Sequence, residues 1–234
     1  MRPVKFGRDQ LMDSKAALQA RLRFWLAIGL IAILAFLVLA VRIVPTHAAT
    51  SGALQNRVAF NQAMRKLWED HITWTRLYIV SAEASLPDTS ATAGRLFQNQ
   101  VDIGDAVKPF YGDAAGNQLA SLLHDHIAIA AQLIAAAMAG DSAGVASASS
   151  AWYANADQIA HFLSAANPKN WPLDQMQSMM KTHLDLTLKE AVDHLQGHYS
   201  ADIADYDQVH LEILSMADML SSGLIAQFPA QFAA

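Results

Sequence analysis

The chain has 234 residues, 53% hydrophobic and 16% charged, enough for one membrane segment and one globular domain but not for several soluble domains. Cysteine is absent, which excludes disulfides and thiolate ligands and leaves histidine, carboxylate and amide groups to hold any metal. The net charge of −5 conceals a split: residues 1–49 hold 7 Lys/Arg against 2 Asp/Glu and residues 50–234 hold 9 against 19, an acidic excess that argues against nucleic acid or anionic lipid as a ligand.

Residues 1–23 carry Arg2, Lys5, Arg8, Lys15, Arg21 and Arg23. From Phe24 to Val41 no residue is charged, and Ile43 and Val44 extend the apolar run beyond Arg42. A stretch of this length spans a hydrocarbon core of about 30 Å. The charge bias then makes 24–44 a single transmembrane helix in a plasma (inner) membrane, with residues 1–23 cytoplasmic and the rest extracytoplasmic. A competing reading is a cleaved signal peptide ending near Thr46-His47-Ala48, although the long basic flank and long apolar run favour the anchor. Residues 45–52, rich in small and polar side chains, read as a linker.

Residues 53–234 are helical in pattern throughout, rich in Ala, Leu, Met and Gln, with no alternating β-branched runs. Breaks at Leu86-Pro87-Asp88, Pro109 to Asp113, Gly140 to Ser142, Asn167 to Pro172 and Gly197 to Ser200 divide them. The predicted segments are 53–86, 89–110, 114–139, 141–166, 173–196 and 200–227, with Asp88, Asp113 and Asp141 placed as caps and Pro229 closing the last. The expected fold is all-α: an N-terminal transmembrane helix followed by an up-and-down bundle of about six helices.

Each segment carries a polar residue near its middle. His71 lies between Trp68 and Thr75, Asn99 beside Leu96 and Ile103, His126 within the stripe of Leu119, Leu123 and Leu133, and Asn155 beside Trp152 and Ile159. His183 shares a face with Met176, Met180, Thr187 and Glu190; His210 lies in a stripe running from Ile203 through Tyr206 to Ile213, with Asp207 one turn before it. His124, two residues before His126, projects elsewhere. A buried polar group left unsatisfied costs about 1–3 kcal/mol, so such a layer is hydrogen-bonded, hydrated or organised by a ligand.

Four mid-helix histidines make a metal site the leading expectation: His71, His126, His183 and His210 as ligands, with Glu190 or Asp207 as further ones. Imidazole donors without thiolates suit Zn, Cu(II), Ni or non-haem Fe, and a pair of inward histidines fits a haem less well. No standard spacing supports this. Glu-x-x-His is missing from the relevant helices, and His-Glu-x-x-His and Cys-x-x-Cys-His are missing altogether. The alternative is an anchored interaction or ligand-sensing bundle whose His/Asn layer is structural. An enzyme is the weakest reading, because no nucleophile or substrate pocket can be named.

Among lesser features, Asp157 and His161 read as a surface pair, Met176, Met179 and Met180 as core filler rather than copper-binding sulfur, and Glu69, Thr73 and Arg76 as a polar strip reaching Arg95 and Asp102. The segments WEDHITWTR (68–76), RLFQNQVDIGDAVKPFYG (95–112), LLHDHI (122–127), WYANADQIAHFLSAANP (152–168), HLDLT (183–187) and YDQVH (206–210) resemble a family of small all-helical bacterial proteins, over about residues 60–232. That resemblance implies a helical fold and no established activity. Members are sometimes labelled glycosyltransferases, for which this chain has no alternating β/α pattern or nucleotide-sugar site.

Overall fold

In the computed structural model, residues 51–233 are described. The expected cytoplasmic segment 1–23, the transmembrane helix 24–44 and the linker up to residue 50 lie outside the described residues. Residues 51 and 52, expected as the end of the linker, are already helical. Helix α1 is helical over 51–83, and α2 runs Thr89–Met138, α3 Ser142–Ala166, α4 Leu173–Leu195 and α5 Tyr199–Gln227, before a short 3₁₀ turn at Pro229–Phe232. No strand occurs among the described residues, and residues 54–233 belong to one compact unit.

The helix ends follow local chemistry. After α1 the chain turns through Ser85 in the left-handed region (φ 52°) and Pro87. At the end of α2, Gly140 (φ 68°) lets its own N–H reach Ala137 O and the Asp141 N–H reach Ala136 O, the paired bonds of a Schellman stop. Asp141 then caps α3 by accepting from the Gly144 N–H at 3.0 Å, as its position predicted. Asp88 precedes α2 without a side-chain cap bond.

The described helices number five because the second and third predicted segments form one element. Pro109 lacks the N–H an inner turn uses, and Gly112 (φ 83°, ψ 169°) breaks the helix where the sequence placed a break. The two arms, 89–111 and 113–138, fold back on each other. A Cβ at Gly104 would lie 2.6 Å from Gly116 O and 2.8 Å from Ala120 Cβ, so the arms meet backbone to backbone. Residues twelve apart in a straight helix would be about 18 Å apart. Helices α2 and α3, α3 and α4, and α4 and α5 pack in sequence, while α1 bonds to α2 through Leu67 O and Asn99 and to α5 through Asn61 and Asp218.

By length and composition α2 and α5 are also apolar enough to cross a membrane. Here both contribute to the bundle core, α5 through Val209, Ile213, Met216, Leu220 and Leu224. That stripe shares Ile213, Ala217 and Leu220 with the expected one and departs from it in the first half of the helix, where Ile203, Tyr206 and His210 were expected. Ile203 is 57% exposed and Asp202 only 1%, so the first half of α5 is turned by about one residue from the expectation. The physical reason is Arg76 of α1, whose guanidinium draws Asp202 inward by two hydrogen bonds of 2.7 and 2.9 Å.

Candidate functional site: a buried histidine layer

Three of the four expected histidines meet inside the bundle. His71 on α1, His126 on the second arm of α2 and His183 on α4 are all buried, with ring centroids 5.9 Å apart for His71–His183 and 6.2 Å for His126–His183. Each comes from a different helix, and all three line a small cavity of about 30 Å³. Burial, reinforced for both by His183 and for His71 also by His126, holds His71 and His126 down to about 3, so both are neutral at physiological pH.

Oxygen atoms orient the rings. Asn155 on α3 donates from Nδ2 to Leu122 O (3.1 Å), which leaves its Oδ1 to accept from His126 Nδ1 at 2.9 Å. His183 Nδ1 donates to Glu212 Oε2 of α5 at 3.3 Å. With Nδ1 of His126 donating and its ring neutral, its Nε2 carries the free lone pair. Asn99 similarly donates to Leu67 O at 2.9 Å and stands against His71, where it offsets part of the burial penalty. His71 Nδ1 and Asn99 Oδ1 nevertheless each lack a completed hydrogen bond, as does Trp152 Nε1 beside His126.

The remaining expected ligands stand elsewhere. His210 is 39% exposed at its side chain and binds Glu69 Oε1 at 2.7 Å, a consequence of the rotation of α5 that also leaves Asp207 exposed. Glu190 is fully buried but serves Arg76, accepting from Nη1 at 2.7 Å. It belongs to a second polar cluster in which Arg76 also holds Asp202, His194 Nδ1 lies 2.9 Å from Asp202, and the Glu83 carboxylate lies 3.8 Å from His194 Nε2. Burial, with Asp202 nearby, pushes Glu190 up to about 7 against the pull of Arg76, and burial raises Glu83 as well.

Among the described residues no group of three His, Asp or Glu side chains stands close enough to hold one metal ion. His124 is exposed, as expected, and Asp157–His161 is a surface pair at 3.3 Å. Met176 and Met180 are buried in the core, while Met179 is half-buried. Arg95 pairs with Asp70 and Asp102, whereas Arg76 leaves the expected strip for Glu190 and Asp202. The sequence reading missed Glu212 and Asp202. The apolar run Val209, Ile213, Met216, Leu220 and Leu224 in α5 held the signal for the correct face.

No protein-family model matches the chain, and neither a curated protein nor a solved structure resembles it at a significant level.

Proposed function

We propose that the bundle binds a divalent first-row transition metal through Nε2 of His71, His126 and His183, for metal handling or sensing. The observation that carries this is the oriented set of imidazoles: Asn155 and Glu212 engage the Nδ1 atoms of His126 and His183, and Asn99 stands ready for His71. Outer oxygens that fix the tautomer in this way are the usual support of histidine ligands. Three histidines with an open fourth position suit Zn in particular, with Cu, Ni and non-haem Fe as the other candidates. Haem is a poorer fit to a cavity of about 30 Å³.

The rings must close up for this. Metal–nitrogen bonds of about 2.0–2.1 Å in tetrahedral geometry place ring centroids about 5 Å apart. From 5.9 and 6.2 Å, the contraction is roughly 1 Å per pair. Residues 24–44 would tether the domain to a bacterial plasma membrane on its outer side, with residues 1–23 in the cytoplasm.

Elemental analysis of the full chain, purified without an affinity tag, should find about one equivalent of metal, lost in His183→Ala. Protein with no metal, whose unfolding does not respond to Zn, Cu, Ni or Fe salts, overturns the proposal. A second reading, a purely structural layer in an interaction or ligand-sensing module, is favoured by one observation: the imidazoles stand too far apart for a common ion as they are. It predicts that His183→Leu retains the fold and changes no metal content.

A further inference from the structure

Beside the histidine layer lies a second cavity of about 90 Å³, with an almost wholly apolar wall. It extends toward the C-terminal end of α4, where Val192 and Leu195 in its wall are 40% and 41% exposed. The two cavities share Thr75, Ala130, Ile134, Trp152 and Thr187, so one partition separates the larger space from the imidazoles. Two polar groups in that partition have no partner: the indole N–H of Trp152 and the hydroxyl of Thr187. Both residues are more than nine-tenths buried.

An unpaired buried donor and hydroxyl next to an apolar space are unfavourable unless something brings an acceptor to them. We propose that this cavity is a binding site for a small neutral molecule with an apolar body and one hydrogen-bond-accepting oxygen, a short-chain ketone or alcohol. The body lies among Ile79, Leu133 and Leu188, and the oxygen lies at the partition, where it accepts from Trp152 Nε1 and meets Thr187 Oγ1 once those two side chains turn their polar atoms, closed off in this structure, toward the cavity. Size restricts the class. A cavity of about 150 Å³ holds benzene, so 90 Å³ admits about four heavy atoms, and one further carbon would reach the exposed end at Val192 and Leu195. The apolar wall disfavours a charged molecule; Glu83, an ionisable side chain in it, has its buried Oε2 3.8 Å from His194 Nε2 and without a hydrogen bond, and burial pushes its carboxyl toward the neutral form. Binding here requires no metal, and the ligand's oxygen would rest one layer of side chains from the imidazoles.

The test uses the full chain, before and after treatment with a chelator, and butan-2-one as the probe. Butan-2-one should shift the Trp152 indole N–H resonance saturably and equally in both preparations. Trp152→Phe, which keeps an aromatic ring of smaller size and loses the donor, should bind about five-fold more weakly by thermal-shift titration, the effect of one hydrogen bond. Ala130→Leu, which fills the partition, should abolish the shift, as should Ala191→Leu farther along the wall. Absence of a saturable shift, as for a cavity that holds only water, overturns the proposal. So does equal affinity for the similarly sized hydrocarbon 2-methylbut-1-ene, or full binding to both leucine variants. Metal content is measured separately, so the metal proposal and this one fail independently.

Discussion

Replacing Arg76 by Met tests the energetic logic of the second polar cluster, around Glu190 and Asp202. The guanidinium makes bonds of 2.7 Å to Glu190 and of 2.7 and 2.9 Å to Asp202, and lies 4.8 Å from the Tyr206 ring centroid. Both carboxylates are 1% exposed, so Arg76→Met strands buried charge, a change that costs about 3–5 kcal/mol. Glu190 modulates that loss. Its folded value of about 7, set by burial against the pull of Arg76, lies above the ordinary 4.5. A carboxyl raised in this way contributes stability that is complete below about pH 4.5 and disappears as pH rises through about 7, roughly 3 kcal/mol in all. Without Arg76 the folded value moves higher still, and Glu190 stays neutral over a wider range. Urea unfolding followed by far-ultraviolet circular dichroism should therefore show a deficit of about 3–5 kcal/mol at pH 8 and a clearly smaller one at pH 5. Equal deficits at the two pH values, or one below about 1 kcal/mol at pH 8, would refute the reasoning.

Gly223→Ala should destabilise by about 1–3 kcal/mol, because the new methyl would overlap Trp171 Nε1 and lie 2.7 Å from its Cε2; thermal unfolding checks this. Gly94→Ala is the control of opposite sign: nothing lies within 4 Å of its Cβ, so helix propensity alone should raise stability by up to about 1 kcal/mol. In chelator-treated protein, His126→Gln should flatten the acid limb of the pH–stability curve. The folded value of about 3 lies below the ordinary 6.5, so protonation favours the unfolded chain as pH falls from about 6.5, by about 1.4 kcal/mol per unit until about pH 3. An unchanged limb would contradict the burial of His126. His210→Ala should alter the unfolding free energy by less than about 1 kcal/mol, since its pair with Glu69 is exposed; a larger loss would place His210 in the core.

The helical segments were legible because their stops are chemical: Gly140, Gly197 and Pro229 end helices for reasons that act within a few residues. The fold-back in α2 was visible as a Pro–Gly break, although its backbone contact between Gly104 and Gly116 depends on packing and was not. His71, His126, Asn99, Asn155 and His183 were recognisable as one layer, since apolar neighbours at helical spacing fix their faces. The orientation of α5 was misjudged for a long-range reason. Asp202 was not singled out, because the counter-charge that buries it, Arg76, lies 126 positions earlier. Pairing across such a distance leaves no local periodicity, and it moved His210 and Asp207 outward with it.

The space beside Trp152 also bears on how stable this bundle can be. A void lined by side chains that could be filled weakens a fold by about 24 cal/mol per Å³, so 90 Å³ corresponds to about 2 kcal/mol of forgone packing. Small residues keep it open, Ala130, Ala137 and Ala191, where longer aliphatic side chains would cost the helices less than about 1 kcal/mol each. Enlarging one of them modestly, as in Ala137→Val, should therefore raise the melting temperature while reducing what the cavity admits. Stability and occupancy would then move in opposite directions in a single series of variants, so the void acts as a reserve of stability that the chain leaves unused.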